Sequence, residues 1–173
     1  MTPKRYPASA RVIHWIMAAL ILSMIGLGLM MVDSLAVWRA TGLRLHKLGG
    51  LLVLTLVMMR LALRFTYRAP PLPEHVPLLQ QRIASASHVA LYGLMFVVPL
   101  VGLLMQNAAG VPVMLPLGTI IPPILSEDLH SYGLLRLAHG VLALALLGLI
   151  ALHVAGALHH AWVRRDGLLD RML

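Results

Sequence analysis

The run LLRLAHGVLALALLGLIALHVAGALHHAW, Leu134 to Trp162, decides the fold: it carries His139 and His153 inside an otherwise apolar stretch long enough to cross a bilayer. Read as a helix, the spacing of these histidines leaves both imidazoles within about 40° of one face and about 21 Å apart along the axis. That holds one near each side of a hydrocarbon slab about 30 Å thick. Imidazole in lipid is costly unless its nitrogens have partners, so two on one face ask for something between helices that takes nitrogen ligands at two depths.

Composition sets the class. The chain of 173 residues is 60% hydrophobic and 12% charged, against roughly 45–50% and 25% in soluble domains. It reads as an all-α integral membrane protein, a four-helix bundle in one domain spanning residues 1–173, with spans near 12–32, 45–65, 83–105 and 134–162. Cysteine is absent, which excludes disulfides, thiolate metal sites, thiol catalysis and covalent haem attachment through C-x-x-C-H. The net charge of +8 could suggest nucleic acid, but the basic residues border apolar spans and form no stripe beside aromatics, so no nucleic-acid partner is expected. In a four-span arrangement Lys4, Arg5, Arg11, Arg60, Arg64, Arg68, Arg82, Arg164, Arg165 and Arg171 fall on one side. Arg39, Arg44, Lys47 and Arg136 fall on the other. Both termini are therefore expected in the cytoplasm, and the first span is expected to be an uncleaved anchor.

Outward from the last span, each helix supplies a histidine. The first has His14 and Trp15 near its inner end; the second has His46 at its outer end, with Gly49 and Gly50 on the same face, where a flat macrocycle needs small neighbours. The connection Tyr67–Gln81 holds Pro70, Pro71, Pro73 and Pro77 and is expected to be extended. The third span has His88 near its inner end and Pro99 late, where a kink is expected. The connection from Gln106 to Tyr132 is rich in Gly and Pro and apolar enough to fold back over the outer end as a lid. His75 and His130 lie in connections and read as solvated, and the eleven methionines read as packing residues.

Alternating direction then pairs the histidines by depth: His46 with His139 outside, His14 with His153 inside. A zinc site wants three or four ligands, and the spans hold neither Cys nor an acidic residue. Two ligands per depth suit an iron already held by four porphyrin nitrogens; with both axial positions filled, the expected chemistry is electron transfer. His88 reads as a polar group near the inner haem or its propionates.

The motifs I-H-W (13–15), H-x-x-x-G (46–50), R-x-x-x-R (60–64) leading to P-P-x-P (70–73), H-x-x-x-Y (88–92) and N-x-x-G-x-P (107–112) follow in order. The chain closes on L-H-x-x-x-A-L-x-H (152–160) and R-D-G-x-L-x-R-M (165–172). In this series the chain resembles the bacterial cytochrome b561 family over nearly its whole length. The resemblance implies two non-covalent haem b groups on the paired histidines, in a multi-pass protein of the bacterial inner membrane that exchanges electrons with quinone. The family includes a superoxide oxidase, which implies oxidation of periplasmic superoxide and reduction of ubiquinone. Arg39, Arg44, Lys47 and Arg136 would then steer the anion or neutralise haem propionates. His160, two turns beyond His153, with Ser9 and Arg11, would face the quinone. In the family pattern Lys often precedes this histidine and a second His follows; here the order is His159, His160, Ala161. Two other readings remain: a cytochrome b anchor relaying electrons from a hydrogenase or dehydrogenase partner, and a non-redox transporter or scaffold.

Overall fold

Each of the four long helices is apolar around most of its circumference, so hydrocarbon rather than water suits its outer surface. They are α1 (Ala8–Val32), α2 (Trp38–Thr66), α3 (Leu78–Ala108) and α4 (Leu129–His159). The computed structural model describes residues 5–66, 77–115 and 118–173. Each helix is long enough and apolar enough to cross a membrane.

Helix boundaries run beyond the apolar windows. α2 begins at Trp38 instead of near residue 45, α3 runs Leu78–Ala108 instead of 83–105, and α4 begins at Leu129 instead of 134. The connection expected from Asp33 to Arg44 therefore shortens to residues 33–37. Hydropathy reports the part of a helix that suits lipid, whereas backbone hydrogen bonding continues into the interface. The proline-rich connection is corrected at one end, because Leu78–Gln81 belong to α3, with Pro77 as its N-cap. Its remainder, with Arg68, Pro70, Pro71, Pro73 and His75, lies outside the described residues, as does Lys4. Pro99 is inside α3, which continues past it to Ala108.

α1 packs along α2, α2 along α3, and α3 along α4; α1 and α4 touch at few points, so the bundle has one open seam. Met17, Ile21, Val53, Val57, Leu91 and Leu146 form the buried centre. Burial of this kind contributes about 25 cal/mol per Å² in water, but inside a bilayer association depends on close packing instead.

The long connection between α3 and α4, at the end expected to face outward, is folded. Val113–Met114 (β1) and Ile120–Ile121 (β2) pair antiparallel. Buried Asn107 accepts a hydrogen bond from Ile124 N at 2.6 Å, and Asp128 N donates to Ala108 O at 3.0 Å. Gly110 turns the chain at φ +65°, where a side chain would be strained and would also meet the Glu127 carboxylate. Asp128 caps α4 by accepting from Ser131 N at 2.7 Å. The Ser131 hydroxyl and backbone N–H hold the Asp128 carboxyl below the usual carboxylate range.

Past His159, a single π-helical turn (His160–Arg164) ends α4, Arg165 takes a left-handed conformation, and the tail folds back across the same end of the bundle where α1 begins.

Candidate functional site

Helical periodicity fixes where each histidine points, and the bundle brings four of them into two opposed pairs. His46 of α2 and His139 of α4 lie with ring centres 6.1 Å apart and planes at 78°. His14 of α1 and His153 of α4 lie 6.5 Å apart at 75°. Metal–imidazole bonds of about 2.0 Å, with each ring centre about 1.1 Å behind its nitrogen, would space two imidazoles holding one metal by about 6.2 Å centre to centre. Both pairs match that spacing. The apolar centre of the bundle separates them.

His88, which the sequence leaves without a partner, packs edge-on against His153 at 5.4 Å. That is closer than two axial ligands of one iron stand, so the contact is a direct ring contact. Arg60 donates from Nε to the Tyr92 hydroxyl at 3.0 Å, and the Arg64 guanidinium lies 5.9 Å from the Tyr92 ring centre. The inner level thus carries three imidazoles and two guanidiniums.

The outer pair rests on features that sequence reasoning missed. His139 Nδ1 lies 3.0 Å from the Val98 carbonyl of α3, a bond in which the ring nitrogen donates. This tautomer leaves Nε2 as the free nitrogen, the arrangement usual for a metal-binding histidine. The ring fits there because residue 102, one turn beyond Val98, is glycine. A Cβ at Gly102 would stand 3.0 Å from His139 Cε1 and 3.2 Å from Nδ1. His46 is seated likewise on α1: a Cβ at Gly28 would stand 3.3 Å from its Cε1. The Met24 carbonyl, one turn before Gly28, is the backbone group beside this ring, although buried Nδ1 makes no hydrogen bond of good geometry. Glycines one turn from such a carbonyl are the signal that could have found both seats. Gly50, expected to flank a macrocycle, faces Pro99 of α3, and a Cβ there would make an ordinary 3.9 Å contact.

The outer basic residues are dispersed. Arg39 Nε donates to the Met31 carbonyl at 3.3 Å at the end of α1, and Arg44 reaches Thr41. Lys47 is half-buried beside His46 in α2, and Arg136 lines a shallow groove on α4 with Leu137, Gly140 and Leu144. At the inner end His160 Nδ1 donates to Asp166 Oδ2 at 2.6 Å, and Arg11 donates to the Leu173 carbonyl. Ser9 is exposed on the first turn of α1. Asp166, whose side chain is 3% exposed, is a partner of His160 that the motif R-D-G did not disclose by itself.

Four membrane-length helices that bring histidine rings together in pairs at two levels have the architecture expected of a multi-pass b-type cytochrome. Comparison with known proteins agrees: the family model described as prokaryotic cytochrome b561 matches residues 5–173. The chain is 31% identical to cytochrome b561 homolog 2 of Escherichia coli (strain K12), over 99% of this chain and 93% of that protein. It is 28% identical to cytochrome b561 homolog 1 of the same strain, over 74% and 72% of the two chains. It is 27% identical to the probable superoxide oxidase CybB of Yersinia pestis, over 98% and 96%. The chain belongs to the prokaryotic cytochrome b561 family. It is accordingly a multi-pass membrane electron-transfer protein, and haem b is the group that membership implies.

Proposed function

We propose that the protein carries two haem b groups, on His46/His139 and His14/His153, and passes electrons across the bacterial inner membrane from superoxide on the outer side to ubiquinone on the inner side. The observation that carries this reading is the pair of imidazole separations, 6.1 and 6.5 Å, at two levels of one bundle. Haem b, when bound, supplies a one-electron iron couple whose potential depends on its axial ligands and burial.

In the overall reaction two superoxide anions give up one electron each and leave as two molecules of oxygen. One quinone takes up both electrons and two protons and becomes a quinol. The histidines bind and orient: Val98 O fixes the tautomer of His139, and Gly28 and Gly102 admit the two outer rings. Arg39, Arg44, Lys47 and Arg136 make the outer end basic, which raises the local concentration of a small anion. At the inner end His160, with Nδ1 held by Asp166, presents its other nitrogen, and with Ser9 and Arg11 lies where a quinone head group would meet the bundle. The ten basic residues at this end, against four at the other, orient both termini to the cytoplasm. The likeness in sequence to a probable superoxide oxidase supports superoxide as the donor.

Haem stoichiometry in His14→Ala, His153→Ala, His46→Ala and His139→Ala tests the assignment: each change removes one haem, the first two the inner and the last two the outer. Loss at the other level, or no loss, refutes the pairing. Neutralising Arg39, Arg44, Lys47 and Arg136 together slows quinone reduction by superoxide and flattens its salt dependence. An unchanged rate removes steering and leaves the haem assignment standing. If instead quinone is reduced only with a co-purifying iron–sulfur or molybdenum protein, the chain is an anchor subunit.

A further inference from the structure

The inner pair is made by two neighbouring helices that pack loosely. His14 belongs to α1 and His153 to α4, and these helices flank the open seam of the bundle. No connection joins them directly, since α2 and α3 lie between them in the chain. Ring separation at a bis-imidazole site must nevertheless hold to within a few tenths of an ångström to keep two metal–nitrogen bonds of about 2.0 Å. Helix packing spans the seam at few points, so a further tie across it would steady the pair.

The segment after α4 makes such a tie. Arg165 is the one non-glycine residue at positive φ among the described residues (52°), and Gly167 follows at 71°. This reversal sends the chain back toward α1. Left-handed backbone at a non-glycine residue costs on the order of 1 kcal/mol, so the turn needs holding. Asp166 holds it: one carboxylate oxygen accepts from His160 Nδ1 at 2.6 Å, the other from Leu168 N at 3.2 Å. The far end of the segment is tied to α1 and to the residues just before it. Tyr6 N donates to Arg171 O at 3.1 Å, Trp15 Nε1 to Met172 O at 2.9 Å, and the Arg11 guanidinium to Leu173 O. Trp15 adjoins His14 in sequence and in space, with its ring 5.2 Å from the His14 ring.

We infer that residues 165–173 are a strap that closes the α1–α4 seam, and that Asp166 and Trp15 are positioning residues for the inner histidine pair. Asp166 anchors the strap to the end of α4; Trp15 passes its grip to the turn of α1 that carries His14. This rests on the haem assignment proposed above for its functional meaning, but the mechanical part stands without it. A tail that only fills space would leave the separation of α1 and α4 unchanged when its hydrogen bonds are cut.

The absence of cysteine makes the test clean. Spin labels at Val12→Cys on α1 and Val163→Cys after α4, both exposed, report the seam distance in the full chain. In Trp15→Phe and Asp166→Ala, and most in the double variant, the distribution lengthens and broadens. The inner haem weakens about 10–100-fold, the usual loss when a group orienting a metal ligand is removed. Its low-spin signal shifts, and the outer haem stays at full occupancy as the sign that the protein is folded. Asp166→Asn, which keeps an acceptor, recovers part of the effect. An unchanged distance distribution in the double variant overturns the strap. Wild-type protein that binds no haem while the distance still responds overturns the haem assignment and leaves the strap.

Discussion

The outer and inner histidine pairs have nearly the same spacing and are built by different means. Each outer ring leans on the helix next to its own in sequence, His46 on α1 at Gly28 and His139 on α3 at Gly102. These contacts lie within the tightly packed pairs α1/α2 and α3/α4, and what positions the ring is a missing side chain and a backbone carbonyl. The inner rings face each other across the open seam, with His88, Trp15 and the returning tail around them. A site seated on backbone tolerates no added carbon; a site held by side-chain hydrogen bonds tolerates size but not their loss.

That contrast is broken most directly at Gly102. In Gly102→Ala the new Cβ stands inside the packing distance of a ring already pinned to Val98 O, so His139 swings and its hydrogen bond breaks. On the proposed assignment, the outer haem weakens about 10–100-fold while the inner haem is kept, as read by haem-to-protein ratio and redox titration. Gly28→Ala acts in the same direction and more weakly, about severalfold, because the clearance is 3.3 Å and His46 Nδ1 has no good hydrogen bond to lose. If Gly102→Ala instead strips the inner haem, the two sites are not independently built.

Most of this architecture is legible before any coordinates. The four spans follow from apolar runs, and the depth of each histidine follows from its place in a run and the alternation of direction. Helix ends are legible only roughly, because Trp38–Arg44 and Leu78–Arg82 are helical without being apolar. What holds the rings is not legible. Gly28 and Gly102 look like any small residues in a membrane helix, since their meaning depends on which helix stands opposite. Pairing by depth leaves His88 over, because it shares a level with His153 as a third ring where two already pair. The role of Asp166 depends on the reversal at Arg165, and a left-handed arginine carries no sequence signal.

The connection between α3 and α4 separates the two ends further. Asn107→Ala leaves Ile124 N without its acceptor, at about 1 kcal/mol, the low end for a lost partner because Ile124 is exposed and its N–H can meet water. Protease added from the side that carries this connection should then cut between residues 109 and 127 faster, with haem content retained and the tail end unaffected. Acid probes the same region. The Asp128 carboxyl has its pKa lowered by Ser131, so its cap on α4 is fully present above the ordinary carboxylate range and is lost as pH falls through the lowered value. Cutting should rise in that acid window alone, and Asp128→Asn should flatten the response.

The smallest expected effect is at Arg165, and it sharpens the account of the inner end. Glycine adopts φ near 52° without the crowding a Cβ causes there, so Arg165→Gly removes local strain while loosening the unfolded chain. The two effects oppose, leaving a net stabilisation below about 1 kcal/mol. If the strap sets the inner pair, the same change narrows the seam-distance distribution between α1 and α4 and leaves the outer haem signal untouched. The loss of one positive charge is screened at the exposed surface and should alter neither readout. A broader distribution in Arg165→Gly would mean that the arginine side chain, rather than the turn it sits in, holds the tail, and would move the anchor from Asp166 to its neighbour.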